Sequence, residues 1–413
     1  MFSHKKAQKE NTVMAKPNQQ QKDWGSSFGE MVWCEFTKSK FIVIWLGFII
    51  LLFLLAIFAP FLANDKPFII KIDGQWRFPL LRDLNATDYS IFLAAIVALV
   101  QLLLVRRNRK RIDPSIRSGV LWRQIFVSTL ITIIGIVLLY VFIPRRLDAT
   151  DYKSMIASGK ASDAVFASVP YGYGRTDLKV REQPPSEQHW LGTDDVGSDV
   201  LCRLIHGSRI SLSVGFVAVG ISSIIGIIIG AILGYSGGKL DFLGMRLVEI
   251  MMAVPVFFLI ITIVAFFPRS LFNIMLIIGL TTWTEDARFV RAEFLKLRRQ
   301  DFVQAAISLG LPLRSILFRH MLPNAIAPVL VNATFGIAGA IFIEAALSFL
   351  GFGVAPPTPS WGQILSLGVS TTGRFLWWLT LFPGLAIFFT VLAYNLVGEA
   401  LRDAIDPRLR QSR

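Results

Sequence analysis

Apolar residues in this chain come in long unbroken runs, not in the period-2 alternation of a half-buried strand or the one-sided stripe of a soluble amphipathic helix. The first run covers 41–63, and others follow at about 90–105, 125–143, 210–234, 245–266, 271–288, 325–349 and 375–398. Most approach the length that crosses a hydrocarbon core. The pattern therefore predicts an all-α polytopic membrane protein with eight transmembrane helices. The weakest of them is 90–105, about 24 Å of helix against a core of ~30 Å. It is expected to need snorkelling by Arg106 or a locally thinner bilayer.

The segments between the runs give the orientation. A polar segment, 1–40, carries Lys5, Lys6, Lys9, Lys16, Lys22, Lys38 and Lys40, and reads as the cytoplasmic side of an uncleaved signal anchor. The basic loop from Arg106 to Gln124 and the segment 289–322, with Arg291, Lys296, Arg298, Arg299, Arg314 and Arg319, fall on the same side under an eight-span count. Loops 64–89 and 144–208 are then outer loops, the second turn-rich and polar, and the tail 399–413 returns to the cytoplasm. The extra pair and its loop occupy 90–143, and the main block of spans occupies 209–398.

Composition supports the membrane reading and excludes other classes. The chain has 413 residues, 54% hydrophobic and only 17% charged, well below a soluble domain. Its net charge of +14 suggests nucleic acid at first sight, but the cations flank apolar spans, so no nucleic-acid partner is expected. Cys34 and Cys202 are far apart, and His4, His189, His206 and His320 are scattered, so neither a disulfide framework nor a metal site is expected.

One cytoplasmic stretch, FVQAAISLGLPLRSILFRHMLPN from Phe302 to Asn324, is unusual for a loop. Helical character from about Asp286 stops at Gly310, a residue type favoured just past a helix end because it accepts positive φ. Pro312 suits the first turn of a second helix, in which Leu313, Ile316, Leu317 and Met321 recur at helical spacing, and Pro323 marks re-entry into the membrane. Two short helices at a sharp corner are predicted within 286–323. Small Ala305 and Ala306 beside the corner would let a partner protein approach closely, and the plain alternative is an ordinary basic loop.

Gln304-Ala305-Ala306, then Gly310, then His320-Met321-Leu322-Pro323, resembles the EAA loop of ABC importer permeases. That pattern is E-A-A, three residues, G, nine residues, I-x-L-P; here Gln replaces the leading Glu and His the Ile. HWLGTDDVGSDVLCRLIHGSRISLSVG (189–215), EAALSFLGFGVAPPTPSWGQIL (344–365) and NLVGEALRDAIDPRLR (395–410) resemble the C-type subunit of the dipeptide, oligopeptide and nickel permeases. NDKPFIIKIDGQWRFPLL (64–81) is similar to the Yej branch, associated with oligopeptides and microcin C.

The resemblance implies a six-helix permease core, here the first and the last five spans, plus an inserted pair in 90–143. It implies a bacterial inner-membrane protein that works with a second homologous permease, an ABC ATPase at the cytoplasmic face and a periplasmic or lipid-anchored substrate-binding protein. Gln304, Ala305, Ala306, Gly310, His320, Leu322 and Pro323 would couple the spans to ATP hydrolysis. No G-x-x-x-x-G-K-[ST] loop is present, the nearest stretch being GYSGGKL at 234–240. ATP and Mg²⁺ therefore belong to the partner, and no cofactor and no enzyme activity are expected of this chain.

Four further features carry expectations. Gly226, Gly230 and Gly234 form a small-residue face that permits close helix packing in lipid. Glu249 and Glu344 lie in or near spans, where a carboxyl faces a cavity or a partner; Glu344 either lines the pathway or is a structural carboxyl. Asp194, Asp195 and Asp199 lack a full Ca²⁺-loop pattern and are read as capping an amphipathic surface helix before the fourth span, with Asp199 the N-cap. Gly351, Gly353, Pro356, Pro357, Pro359 and Trp361 predict a rigid outer loop with an interfacial Trp.

Two other functions remain at this stage. An ion-coupled secondary transporter of small solutes would use intramembrane Glu residues and broken helices, but repeated halves are not evident. A membrane-embedded hydrolase would need a nucleophile and base, or an H-E-x-x-H pair, within the spans, and none is seen.

Overall fold

A computed structural model of the chain describes residues 28–111, 114–143, 150–368 and 373–405. The Lys-rich start up to residue 27, the end of the tail from 406, and parts of the loops lie outside the described residues.

The described residues open with α1 (Phe28–Thr37) and α2 (Lys40–Leu62). After β1 (Ile69–Ile72), β2 (Gln75–Arg77) and α3 (Pro79–Asp83) come the long helices α4 (Ala86–Arg111) and α5 (Pro114–Phe142). The outer connection holds α6 (Tyr152–Ala157) and β3 (Ala161–Val165). Then follow α7 (Val200–Ser236), α8 (Gly238–Ala253), α9 (Val256–Ala265), α10 (Leu271–Leu297), α11 (Asp301–Ser308), α12 (Leu313–Ser315), α13 (Leu322–Phe349), α14 (Trp361–Ser366) and α15 (Trp377–Ile405).

By length and composition, six helical runs can cross a membrane among the described residues: α2, α4, α5, α7, Leu313–Phe349 and α15; the bent pair α8 and α9 makes a seventh. α10 is less apolar, because Glu285, Asp286 and Arg288 sit in its middle. Its place beside α7 makes it the eighth. A Cβ at Gly279 would meet Ile221, one at Gly226 would meet Asp286, and one at Gly234 would meet Phe294, so residue numbers rise together and the two helices are parallel. Parallel neighbours require a crossing between them. α8 supplies its first half, running back along α7 with Gly244 against Leu233. The pair is bent by 79° at Val254 and Pro255. Proline lacks an N–H and disfavours helix in the residue before it, so 245–266 is a broken span where a single helix was expected.

Other boundaries differ from the sequence expectation for local reasons. The short span 90–105 is part of a 26-residue helix, about 39 Å long, because polar Ala86–Ser90 and basic Arg106–Arg111 extend it at both ends. The surface helix expected before the fourth span is the first two turns of α7, a continuous helix of 37 residues and about 55 Å. No proline stands between Asp199 and Ser236 to divide it.

The outer loops are not structureless. β1 pairs with β2 and with β3, all antiparallel, in the order β2-β1-β3. Ile70 and Ile72 point inward against Tyr152 and Ala161. This small sheet departs from a purely helical chain, and it joins both outer loops across the inserted hairpin.

The main core lies between α2, α7, α9, α10, α13 and α15, with Leu52, Val214, Ala218, Ile278, Ile341 and Ala393 among its buried residues. α4 and α5 stand outside it, packed on each other, with α4 also against α2.

Candidate functional site

The α7/α10 pair is the axis on which the cytoplasmic corner is mounted. A Cβ at Gly230 would lie 2.5 Å from the Ala287 carbonyl, and one at Gly234 2.7 Å from the Arg291 carbonyl. At Gly226 the nearest atom would be Asp286 Cβ at 2.4 Å. The three glycines therefore let the backbones touch within this subunit, and the contact is van der Waals in kind.

A buried acid fastens the same pair to a third helix. Asp286 on α10 is 3% exposed and accepts hydrogen bonds from Ser223 Oγ at 2.9 Å and Ser222 Oγ at 3.3 Å on α7. From α13, Asn332 Nδ2 donates to its other oxygen at 2.7 Å. Sequence reading passed over Asp286; the signal available was a carboxylate inside a span, with a Ser pair in another.

α10 ends at Leu297, and Gln304 Nε2 donates to the Arg298 carbonyl at 2.7 Å, satisfying a group that the helix end leaves free. Gln304 is thus bound to its own chain, although exposed. α11 then buries Val303 and Ala306 against Phe294, Leu297, Ile316 and Met321. Ala305 is exposed, but Ala306 faces this subunit's own core, contrary to the expectation that both alanines face a partner. Val303 and Ala306 are three apart and share a helix face, which leaves Ala305 on another.

Gly310 has φ +68°, and nothing lies within 4 Å of where a Cβ would be. Pro312 is the N-cap and not a residue of the first helical turn. The second arm of the corner is also not a separate helix. From Leu313 it runs through a π-helical segment, Ile316–Met321, straight into α13. Pro323 lies in the first turn of α13, Leu322 is buried in the corner's core, and the His320 carbonyl accepts from Asn324 Nδ2 at 2.7 Å. The outer side of the corner carries Phe302, Ile307, Leu309, Leu313 and Phe318, of which Leu309 is 78% exposed.

Glu344 sits near the opposite end of α13 and is 0% exposed. Ser348 Oγ donates to it at 2.7 Å and Ser211 Oγ at 3.1 Å, and Ser211 in turn accepts from the Trp361 backbone N–H. The carboxyl joins α7, α13 and α14. Glu249, by contrast, is exposed and pairs with Arg246 at 2.6 Å. Trp361 is buried at 1% exposure, its indole N–H donating to the Leu204 carbonyl, so it is a core residue and not the interfacial one expected.

The outer acids work as caps and ties. Asp199 is the N-cap of α7, accepting from Cys202 N–H at 2.8 Å, and also meets His189 Nδ1 at 2.8 Å. Asp194 accepts from the Val196 and Ser198 N–H groups and pairs with buried Arg203. Arg203 reaches Gln363 on α14, and Trp378 on α15 donates to the Thr193 carbonyl at 3.1 Å. The 178–199 segment is therefore stitched to the outer ends of the spans.

Residues 226–411 match the family described as "Binding-protein-dependent transport system inner membrane component", and 27–79 match the "N-terminal TM domain of oligopeptide transport permease C". The oligopeptide transport system permease protein OppC of Bacillus subtilis strain 168 is 40% identical over 250 residues, covering 60% of this chain and 82% of that protein. The dipeptide transport system permease protein DppC of Alkalihalophilus pseudofirmus is 41% identical over 252 residues, covering 60% of this chain and 82% of its own. A solved inward-facing structure of the MetNI methionine ABC transporter aligns with a TM-score of 0.41 and 19% identity, over 49% of this chain and 96% of that one. The chain belongs to the family of binding-protein-dependent transport system inner-membrane permeases.

Proposed function

We propose that this chain is the permease subunit of an ABC importer that brings peptides across a bacterial inner membrane. The relatives' names, oligopeptide and dipeptide permeases, support the substrate class. A second homologous permease completes the pathway, a substrate-binding protein delivers from the outer face, and an ABC ATPase binds at the corner. ATP and Mg²⁺ reside on that ATPase, a reading supported by the lack of a G-x-x-x-x-G-K-[ST] stretch in this chain. Both termini face the cytoplasm, on the side of the corner.

The observation that carries this reading is the two-sided corner at Gly310. Val303 and Ala306 fix α11 to the ends of α10 and α13, while Phe302, Ile307, Leu309 and Leu313 stand outward on the same short segment. An exposed apolar knob rigidly joined to two spans suits a partner that moves and pulls the spans with it. Glu344, on which an ion-coupled carrier would depend, is closed in by serines.

The test is affinity purification of the tagged chain in mild detergent, with identification of companion subunits and an ATPase assay, for wild type and for Leu309→Asp. Recovery of a second permease and an ATPase by wild type, with the ATPase lost from Leu309→Asp, is expected. Recovery of the chain alone, with uptake into liposomes driven by a proton gradient, would overturn the proposal.

A further inference from the structure

The hairpin α4 and α5 lies between the two regions matched to the transport family, 27–79 and 226–411. It is attached to the core at its outer end. The Phe92 ring packs 5.7 Å from that of Phe61, and Asp88 in the first turn of α4 pairs with Arg209 of α7 at 2.6 Å. Beyond that end, its apolar side chains face outward on several sides, Ile96, Leu103, Phe126, Ile131 and Val137 among them. Lipid is the medium that suits such walls.

The two helices hold each other through polar pairs at three depths. Thr87 and Tyr140 are 3.0 Å apart, Gln101 donates to Ser128 at 2.7 Å, and Asn108 donates to Gln124 at 3.0 Å. The last pair lies where the apolar runs end. Arg106 and Arg107 flank it on α4 and Arg123 on α5, and all three are exposed. Thus three arginine positions lie at one level of the hairpin, beside a hydrogen bond between their neighbours. The sequence adds Arg109, Lys110, Arg111 and Arg117 between them, against a single acid, Asp113.

Such cations could serve only to orient the spans during insertion. The Asn108–Gln124 tie is not required for that, yet it keeps the arginines together in the folded protein, at headgroup depth, on walls already in lipid. Guanidinium matches a phosphate oxygen pair in geometry as well as charge, and clusters of Lys and Arg beside a span attract anionic lipid. We infer that the elbow of this hairpin is a binding site for anionic phospholipid, with Arg106, Arg107 and Arg123 on the headgroup phosphate and the acyl chains against α4 and α5. The leaflet is the one at the end of the molecule that holds Gly310.

The purified full-length chain, with any subunits that accompany it, would be placed in nanodiscs containing phosphatidylglycerol or phosphatidylcholine with a photoactivatable acyl chain. Adducts would be mapped by mass spectrometry. A severalfold excess of phosphatidylglycerol adducts on the elbow halves of α4 and α5, reduced by salt and abolished in Arg106→Gln/Arg107→Gln/Arg123→Gln, is expected. Arg106→Lys/Arg107→Lys/Arg123→Lys should keep most of it. Equal labelling by the two lipids, an excess located only elsewhere, or an elbow covered by an acidic protein would each overturn the inference. The wild-type map decides even if the Gln variant fails to insert.

Discussion

The side-chain amide of Asn332 on α13 donates to the carboxylate of Asp286 on α10 at 2.7 Å, inside the membrane-spanning part of the molecule. Two serines of α7 share that carboxylate. Replacing it with a methyl group strands three donors, one on buried Ser222 and two on half-buried Ser223 and Asn332, a fully buried unsatisfied group costing about 1–3 kcal/mol. Asp286→Ala is expected to lower the apparent unfolding midpoint in detergent clearly, and Asp286→Asn much less, since an amide oxygen still accepts. Equal midpoints for Asp286→Ala and wild type would mean that the tie is unimportant.

Glycine positions on α7 should divide sharply. A Cβ at Gly230 has no room beside Ala287 and Val290, whereas nothing lies within 4 Å of one at Gly220. Gly230→Ala is expected to destabilise by about 1–3 kcal/mol through overpacking. Gly220→Ala should be neutral or stabilising by up to about 1 kcal/mol, from helix propensity. Thermal unfolding of the two variants side by side checks this.

Gly310→Arg tests the corner itself. At φ +68° a side chain costs about 1–2 kcal/mol locally, but open space around the site leaves the fold intact. The expected result is normal insertion and expression with substrate-stimulated ATP hydrolysis largely lost. Hydrolysis at the wild-type rate would show that the partner docks elsewhere.

Asp195, on the outer segment, has its carboxyl pushed above the usual range by burial and then by neighbouring Asp194. A raised folded value means that ionisation weakens the fold, so its contribution is fully present below the unfolded value and lost as pH rises through the folded one. Asp195→Asn should therefore raise stability at neutral pH, and the gain should disappear on acidification through the carboxylate range. Unfolding midpoints of both proteins across acid to neutral pH measure it.

Much of the architecture was legible in one dimension. Apolar runs mark the spans, the G-x-x-x-G-x-x-x-G spacing marks a contact face, and Gly310 between helical stretches marks the corner, all through local chain properties. The direction in which Ala306 points was not legible. α11 has apolar residues around much of its girth, Val303 and Ala306 buried, with Phe302 and Ile307 exposed on either side of them. The break at Arg298–Gln300 resets its phase relative to α10, so periodicity along the chain cannot choose between them.

The amino-acid sequence by itself determined that this chain lives in a bilayer, roughly where it crosses, and to which family it is similar, because hydrophobicity, turn chemistry and motif spacing act over neighbouring residues. Only the tertiary structure decided which polar groups meet. Ser222 and Asn332 converge on Asp286, Ser211 and Ser348 close around Glu344, and β1 finds β3 beyond an entire helical hairpin. Each of these depends on the rotation and register of helices brought together from distant parts of the chain, and in lipid that is set by packing and buried hydrogen bonds, which no single segment contains.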